Sequence, residues 1–179
     1  FTAMATIVVV LVANTAIFSL LNAIVLRKVS VANPEELITI SAVDAKTTQP
    51  GYFYLETFKA FRSVQRSFSH LSMYNGGGAL RVEPQGMAAI DVGVEAISPE
   101  YFALARVRAS AGRLITDADD PSVPVVVLSH RFAQRLYGDA AAAAGRSLKV
   151  SGIDATVVGV VEPGFTGMNL DGGSDLFLS

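Results

Sequence analysis

The first 26 residues contain no ionisable side chain, and this uncharged stretch constrains the chain more than any other feature. It reads FTAMATIVVVLVANTAIFSLLNAIVL and ends abruptly at Arg27 and Lys28. A helix of that length, rising about 1.5 Å per residue, spans the roughly 30 Å hydrocarbon core of a bilayer. A signal peptide would carry basic residues before its apolar part, and a buried core helix usually has a shorter apolar run. We therefore predict a transmembrane helix over residues 1–26.

Small and polar residues lie together on this predicted helix. Thr15, Ser19 and Ala23 recur every four residues, with Asn22 at the edge of the same face and Asn14 on an adjoining face. Small side chains let a second helix approach closely, and an asparagine in hydrocarbon seeks a hydrogen-bond partner. We expect these five residues to pack against other membrane helices, because a single anchor helix does not need them.

The remaining residues, 27–179, are enough for one ordinary domain. The net charge of −2 and the scattered basic residues argue against a nucleic-acid partner, which requires a clustered Lys/Arg surface. The chain has no cysteine, which excludes disulfides, thiolate metal sites and cysteine nucleophiles. We expect the chain to be a fragment of a larger protein, with its domain incomplete at the C-terminus.

Helix and strand patterns are mixed along the first half of this domain. The apolar positions Leu55, Phe58, Phe61, Val64 and Phe68 advance by three or four, which predicts an amphipathic helix over residues 52–68 with that face in the core. Ser98-Pro99-Glu100 is typical of a helix start, with the serine as the cap. Predicted strands cover residues 36–43, 71–74, 79–83 and 88–96, with a glycine-rich hairpin turn at residues 75–78.

The second half carries the clearest unit. Val123–Leu128 is a continuous apolar run suited to a buried strand, and Ser129 can cap the helix that follows and ends at Gly138. Residues 147–150 and 155–161 then form a predicted strand pair that turns at Ser151-Gly152. The predicted fold class is α+β, a mixed α/β domain.

No catalytic, cofactor or metal site is predicted. The glycines at residues 76–78 lack the Lys-Ser/Thr and the helix of a phosphate loop, so they predict a turn. Asp117, Asp119 and Asp120 resemble the opening of a calcium loop but lack its later glycine and glutamate, which favours a solvated turn. Ser129-His130 lies outside any nucleophile elbow, and neither histidine has a ligand partner at helical spacing.

Several motifs together carry a resemblance to a known family. The membrane stretch and its exit, from Ala13 to Leu37, are similar to the first span of FtsX-like permeases. The rest resembles the MacB-like periplasmic core domain. The segments that carry this likeness are Ser98-Pro99-Glu100-Tyr101-Phe102, Ala111-Gly112-Arg113, Val125-Val126-Val127-Leu128-Ser129, Gly145-Arg146-Ser147-Leu148 and Val157-Val158-Gly159-Val160-Val161-Glu162-Pro163-Gly164-Phe165. The chain is also similar to the duplicated orphan permeases of Acidobacteria. The alanine run at residues 140–144 departs from the family pattern.

The resemblance implies an ABC-transporter permease of the bacterial inner membrane, with residues 27–179 in the periplasm. It implies a porter-like α/β unit with a smaller inserted α/β unit, and a dimeric permease whose helices surround the first span. It also implies a separate cytoplasmic ATPase subunit whose ATP hydrolysis moves the periplasmic domain, a mechanotransmission cycle. The basic residues Arg27 and Lys28 by themselves would place the domain in the cytoplasm, and the resemblance reverses that orientation.

Two other hypotheses remain open at the level of sequence. The chain could be a membrane-anchored extracytoplasmic binding or sensing module, for which the first helix is only a tether. It could also be an anchored hydrolase that uses Ser129 or the acidic cluster at residues 117–120. The permease hypothesis is preferred because it accounts for the polar face of the first helix and for the later motifs.

Overall fold

The structure is a computed structural model that describes residues 11, 12, 14, 15, 17, 18, 31, 33–43, 50, 51, 53–169 and 173–179. The six described residues before residue 31, among them Asn14 and Thr15, are helical and exposed. Ser19, Asn22, Ala23 and most of the predicted span lie outside the described residues. Within the described part, no helix combines the length and apolar character that a membrane crossing requires.

Strands dominate the described part of the chain after residue 31. The strands are β1 (Ala42–Val43), β2 (Pro50–Gly51), β3 (Tyr74–Pro84), β4 (Ile90–Ile97), β5 (Ala109–Gly112), β6 (Val125–Leu128), β7 (Ser147–Val150), β8 (Ile153–Val161) and β9 (Leu176–Leu178). The α-helices are α1 (Leu55–Val64), α2 (Tyr101–Ala105) and α3 (His130–Tyr137), with 3₁₀ turns at Pro34–Glu36 and Ala141–Ala143. This mixture of helices and strands confirms the mixed α/β class.

Six strands of the main sheet close into a ring. The order is β8, β6, β9, β4, β3 and β7, and β7 pairs again with β8. The ring can close because β8 pairs with different strands along the same edge. Its residues 153–156 pair with β7, whereas its residues 159–161 pair with β5. The pairs β4–β9 and β6–β8 are parallel and the other pairs are antiparallel. The short strands β1 and β2 form a separate pair.

The strands bury side chains on both faces, so the domain has two apolar clusters. On β6, Val126 and Leu128 belong to the first cluster, which also receives Phe132 and Ala133 of α3. Val127 points to the opposite face, where the second cluster, called the aromatic core below, gathers around α2. The members of the aromatic core are Ile97, Tyr101, Phe102, Ala105, Val107, Ile115, Val127, Val161, Phe165 and Phe177.

The unit around α3 matches the sequence-based prediction. The Ser129 hydroxyl accepts a hydrogen bond from the Phe132 amide at 3.1 Å and caps α3. Gly138 ends the helix with a φ of 73°, a left-handed conformation that glycine adopts without steric cost. Strands β7 and β8 form the predicted antiparallel pair through the turn at Ser151-Gly152.

The predicted glycine turn at residues 75–78 is wrong. Those residues lie inside β3, where a bulge between Asn75 and Gly78 accommodates one extra residue against β4. The hairpin turns instead at Pro84–Met87, where the Met87 amide donates to the Pro84 carbonyl at 3.0 Å and Gly86 has a φ of 77°. Glycine runs therefore do not distinguish a turn from a bulged strand.

The predictions for residues 36–68 hold only in part. The strand expected over residues 36–43 is reduced to β1, since Glu36 ends a 3₁₀ turn and residues 37–41 are neither helix nor strand. The helix expected over residues 52–68 is the shorter α1, and Phe58 is its buried residue. Leu55 and Val64 are exposed, which corrects the prediction that the whole apolar face belongs to the core. Ser98 does not cap α2, since its hydroxyl accepts a hydrogen bond from the Met73 amide at 3.0 Å.

Truncating Phe177 tests the aromatic core. Its ring lies 5.5 Å from that of Phe102 and 5.6 Å from that of Phe165, measured between centroids. We expect Phe177→Ala to lower the free energy of unfolding by about 3–5 kcal/mol, as is usual for deleting a buried aromatic ring. Ile153→Ala, at an exposed position, should change it by less than about 0.5 kcal/mol. Urea unfolding of the purified chain measures both, and equal effects would contradict this packing.

Candidate functional site

The least expected buried residue of the domain is a glutamate. Glu95 lies in the middle of β4 with none of its surface exposed, and β4 pairs it with Phe177 of β9. Its side chain therefore enters the aromatic core, where an unpaired charge is costly. The residues around this carboxyl group form the candidate functional site, called the Glu95 site below.

Hydroxyl groups from two other elements contact the carboxyl group. The Tyr101 hydroxyl of α2 donates a hydrogen bond to Oε1, and Ser174 Oγ donates to Oε2 at 3.1 Å. The Tyr101 oxygen in turn accepts a hydrogen bond from the Met168 amide at 2.8 Å. These donors are neutral, so the carboxyl group gains hydrogen bonds without a compensating positive charge.

Burial changes the proton affinity of the groups in this site. Desolvation raises the pKa of Glu95, and the hydrogen bonds from Tyr101, Ser174 and the Met168 amide offset only part of that effect. Desolvation also raises the pKa of the Tyr101 hydroxyl, and the neighbouring Glu95 raises it further. The pKa of Tyr74 is raised for the same two reasons. The Glu95 site therefore favours the protonated, neutral form of the glutamate.

Glycines allow the covering segment to approach the carboxyl group. The described residues between β8 and β9, 162–169 and 173–175, lie over β4 and are called the crossover below. Gly167 of the crossover has a φ of 98°, and a Cβ added there would overlap Glu95 Oε2. A Cβ on Gly93 of β4 would lie 3.1 Å from the Gly173 carbonyl oxygen. Close packing of the crossover on β4 therefore depends on both glycines.

A shallow cleft of about 230 Å³ opens beside this site. We call it the crossover cleft, because the crossover forms one wall and the β3–β4 hairpin forms the other. Its lining residues are Gly77, Gly78, Ala79, Gly93, Val94, Asn169, Gly173 and Ser174. Ser174 thus joins the buried carboxyl group to a surface that a ligand could reach.

The arrangement can hold a proton and can fasten three elements together. Glu95 belongs to β4, Tyr101 to α2, and Ser174 to the crossover, so the hydrogen bonds of one carboxyl group connect all three. An acid that is buried among neutral donors exchanges its proton only at the cost of placing a charge in the aromatic core. Chemically, this site is suited to proton storage and to locking a conformation.

A second buried acid connects α3 to the end of the crossover. Asp175 accepts hydrogen bonds from Arg131 at 2.9 Å and Arg135 at 3.2 Å, and from the Ser129 hydroxyl at 3.3 Å. Here two guanidinium groups supply the charge that the Glu95 site lacks. Ser129, the serine of the hydrolase hypothesis, is buried and uses its oxygen as the cap of α3.

The acidic cluster at residues 117–120 is engaged with protein groups. Asp119 accepts hydrogen bonds from both Arg113 Nη atoms and from the Thr116 amide, and the Arg113 guanidinium holds the pKa of Asp119 below its usual range. Asp120 accepts a hydrogen bond from the Ser122 amide at 2.8 Å. Asp117 lies 3.7 Å from Arg62. These contacts show that the three aspartates stabilise the loop in which they lie.

Reasoning from the sequence did not identify Glu95. In a strand, residues 91, 93, 95 and 97 share one face, and an aspartate and a glutamate on that face suggest exposure to solvent. Ile97 on the same face is the only apolar side chain that contradicts that assignment. The sequence gives no sign that α2 and the crossover cover the face.

Comparison with known proteins relates the whole chain to one domain family. The model of the MacB-like periplasmic core domain matches residues 1–179. The curated proteins contain no match to this chain. Solved structures show the same fold at low sequence identity.

Three of these structures are similar over most of the chain. The extracellular domain of the ABC-type transporter YknZ from Gram-positive bacteria has a TM-score of 0.58 and 18% identity, over 77% of this chain and 69% of that one. The periplasmic region of MacB from Actinobacillus actinomycetemcomitans has a TM-score of 0.55 and 17% identity, over 74% of this chain and 57% of that one. A domain of a Porphyromonas gingivalis protein described as a permease has a TM-score of 0.51 and 16% identity, over 67% of this chain and 54% of that one. This chain thus spans between about half and two thirds of their lengths.

Replacing Glu95 by glutamine tests the proton-binding role. A raised pKa means that the folded state binds the proton more tightly than the unfolded state. The resulting stability is complete below the ordinary glutamate pKa and is lost as pH rises through the folded pKa. Between pH 4 and pH 8, the wild type should lose stability relative to Glu95→Gln, with a slope of at most about 1.4 kcal/mol per pH unit. Parallel stability curves from urea unfolding would contradict the prediction.

Two glycines of the crossover form a matched pair for testing its packing. Gly164 and Gly167 have φ values of 92° and 98°, so alanine strains the backbone similarly at both. A Cβ at Gly164 meets no atom within 4 Å, whereas one at Gly167 overlaps Glu95. We expect Gly167→Ala to lower the melting temperature clearly more than Gly164→Ala, because only the former displaces the Glu95 hydrogen bonds, worth about 1–3 kcal/mol. Equal melting temperatures would show that the crossover does not depend on this contact.

Proposed function

The chain belongs to the MacB-like periplasmic core domain family, and from this premise we propose that it is the extracytoplasmic part of an ABC-transporter permease subunit. In this proposal the chain itself is not catalytic. A cytoplasmic ABC ATPase subunit hydrolyses ATP, and the domain transmits the resulting movement for export or mechanotransmission. The family match over residues 1–179 is the observation that carries the proposal.

Residues 1–26 supply the membrane anchor in this proposal, and residues 27–179 form the domain on the periplasmic side of the bacterial inner membrane. The helix-packing residues are Asn14, Thr15, Ser19, Asn22 and Ala23, which would contact other helices of a dimeric permease. The Thr15 hydroxyl donates to the Leu11 carbonyl at 2.8 Å within its own helix. Because this hydroxyl already has an acceptor, Thr15 would favour packing of a neighbouring helix through its small volume.

Two ion pairs support a mechanical role for the segment that follows the anchor. Glu36, in the 3₁₀ turn, accepts a hydrogen bond from Arg106 at 2.9 Å, and Arg106 ends α2. Arg62 of α1 pairs with Glu100 at the opposite end of α2. Glu36 and Arg62 thus hold the two ends of α2, whose Tyr101 contacts Glu95. A displacement of the anchor would reach the Glu95 site through α2.

The energies of these pairs suit a reversible linkage. The side chains of Arg106 and Glu36 are each more than half exposed, so their pair contributes only about 0.2–1 kcal/mol. The Leu71 amide adds a hydrogen bond to Glu100 at 3.3 Å. Contacts of this strength can break and re-form during a transport cycle, whereas the aromatic core stays intact.

The alternative is a membrane-anchored binding or sensing module. The crossover cleft beside Ser174 favours it, because a ligand bound there would lie next to the buried carboxyl group. The two functions differ in what they require of the anchor. Leucine at Thr15, Ser19 and Ala23 would leave a tethered module active and would disrupt assembly of a helix bundle.

Co-purification and ATPase assays test the transport proposal. We expect the full-length permease to co-purify with an ABC ATPase and to change its rate of ATP hydrolysis. Arg106→Glu should reduce that coupling roughly two- to fivefold, as the loss of an exposed ion pair allows. The double variant Glu36→Arg/Arg106→Glu should restore it.

The control breaks a comparable pair elsewhere. Lys149→Glu disrupts the exposed pair of Lys149 with Asp154, which lie 3.8 Å apart on β7 and β8, away from α2. This control should leave coupling unchanged. A full-length protein with one span and no ATPase partner would refute the transport proposal, and equal effects of both single variants would refute the role of Arg106.

A further inference from the structure

The crossover covers the Glu95 carboxyl group with two short arms, residues 166–169 and 173–174. The Ser174 amide donates a hydrogen bond to the Thr166 carbonyl at 2.7 Å, which joins the arms to each other. The Ser174 hydroxyl lies 3.1 Å from Glu95 Oε2. The two arms are thus fastened to the carboxyl group as one unit.

The first arm leaves no space for water beside the carboxyl group. Gly167 is buried, and even a methyl group added to its Cα would overlap Glu95 Oε2. The other oxygen, Oε1, accepts a hydrogen bond from the Tyr101 hydroxyl, which itself accepts one from the Met168 amide at 2.8 Å. A buried carboxylate needs hydration or a cation to offset the loss of bulk water. Hydration here requires that the arms move away from β4.

The residues that flank the arms are held by contacts that do not involve Glu95. Phe165, before the first arm, is buried in the aromatic core. Asp175, after the second arm, pairs with Arg131 and Arg135 of α3. Parts of a protein that share few contacts with the rest can open separately. A movement can therefore be confined to the arms, with both ends of the crossover in place.

Titratable groups face Glu95 from α2 and β3. They are the hydroxyls of Tyr101 and Tyr74, and both stay neutral at physiological pH because burial and the nearby Glu95 raise their pKa values. The other acid on this face of β4 is Asp91, which is exposed and pairs with Arg81 at 3.5 Å. In the described part of the chain, the side chains that donate to the carboxyl group are hydroxyls, and none is a cation.

The covering segment contains no cation either. The sequence between β8 and β9, residues 162–175, has no lysine, arginine or histidine, and β9 is wholly apolar. Its acids are Glu162, Asp171 and Asp175, of which Asp171 lies outside the described residues. Glu162 accepts a hydrogen bond from the Arg108 amide at 3.1 Å, and Asp175 is engaged with α3. Water, and not a cation of this segment, must therefore stabilise an ionised Glu95.

We propose that ionisation of Glu95 releases the two arms from β4, so that the crossover is a latch that a proton closes. Oε1 accepts from Tyr101, so the proton of the neutral acid lies on Oε2. A serine hydroxyl can accept as well as donate, so the bond between Oε2 and Ser174 persists in the neutral acid. On ionisation the proton passes to solvent water, and the carboxylate is hydrated in the space that the arms leave.

The direction of the pH dependence follows from burial. Desolvation raises the pKa of Glu95 in the closed state, so this state binds the proton more tightly than the open state does. The latch is therefore closed at low pH and opens as pH rises through the pKa of the closed state. Asn169, Gly173 and Ser174 line the crossover cleft, so release of the arms opens that cleft. The latch does not depend on the proposed coupling to an ATPase.

Hydrogen exchange of single amides, measured on the full chain in detergent micelles, tests the latch. The Met168 and Ser174 amides report on the arms, and the Ser129 amide, which donates to the Asp175 carbonyl at 2.9 Å, reports on a fixed end of the crossover. Protection factors remove the intrinsic pH dependence of exchange. Between about pH 5 and pH 8, those of the two arm amides should fall by up to about tenfold per pH unit, because release is coupled to the loss of one proton. The protection of the Ser129 amide should stay constant.

Glu95→Gln is the decisive variant, because glutamine has nearly the same shape and cannot ionise. It should make the protection of both arm amides independent of pH. Asp91→Asn is the matched control, since it removes an exposed acid from the same face of β4, and it should keep the pH dependence of the wild type.

Carbon-13 NMR of the glutamate carboxyl groups supplies a second measurement. The resonance that Glu95→Gln removes should titrate in the wild type with the same midpoint as the release of the arms. Ser174→Ala deletes a hydrogen bond that lowers the pKa of Glu95, so it should move this midpoint to higher pH. This variant keeps the acid and tests the site even if Glu95→Gln does not fold.

Each outcome decides the proposal. Coincident midpoints, together with loss of the pH dependence in Glu95→Gln only, support it. A pH dependence that persists in Glu95→Gln would assign the release to another group, such as Asp171, and would overturn it. Titration of Glu95 without a change in the arm amides would overturn the latch. Parallel loss of protection at Ser129 would show that the domain opens as a whole, which also overturns it.

Discussion

The structure depends on placing the Glu95 carboxyl group in an apolar interior without a cation. An ionised carboxylate in such a place would cost several kcal/mol. Hydrogen bonds from Tyr101 and Ser174 offset part of that cost, and desolvation raises the pKa of Glu95. These bonds link α2 and the crossover to β4. Gly167 is constrained by the same contact, because no larger residue fits against the carboxyl group.

The two buried acids of the domain illustrate different ways of compensating burial. Asp175 has two arginines from α3 and stays near the surface, whereas Glu95 has only neutral donors and is fully buried. Desolvation raises the pKa of Glu95, so the stability that this contact contributes depends on proton concentration. Ser174 bonds to Glu95 and Asp175 is the next residue, so the contacts of both acids meet at the same end of the crossover.

Closure of the sheet explains how a small domain holds two apolar clusters. The ring of six strands buries one face and leaves the other for α2, the crossover and the aromatic core. Glu36 and Arg62 pair with Arg106 and Glu100, so α2 is held at both of its ends as well as at Tyr101.

Local patterns in the sequence determined the α3 unit, the strand pair β7–β8, the mixed class and the family. The predictions for these elements succeeded because the contacts that define them join residues close together in sequence. Ser129 caps α3, Gly138 ends it, and β7 and β8 meet at a short turn. Contacts distant in sequence decided the rest. Residues 75–78 became a bulged strand because β4 pairs with them, and α1 buried only Phe58 because little of the described domain covers it. Glu95 is buried only because residues from α2 and from the crossover, up to 79 positions away, pack over it, which no local pattern encodes.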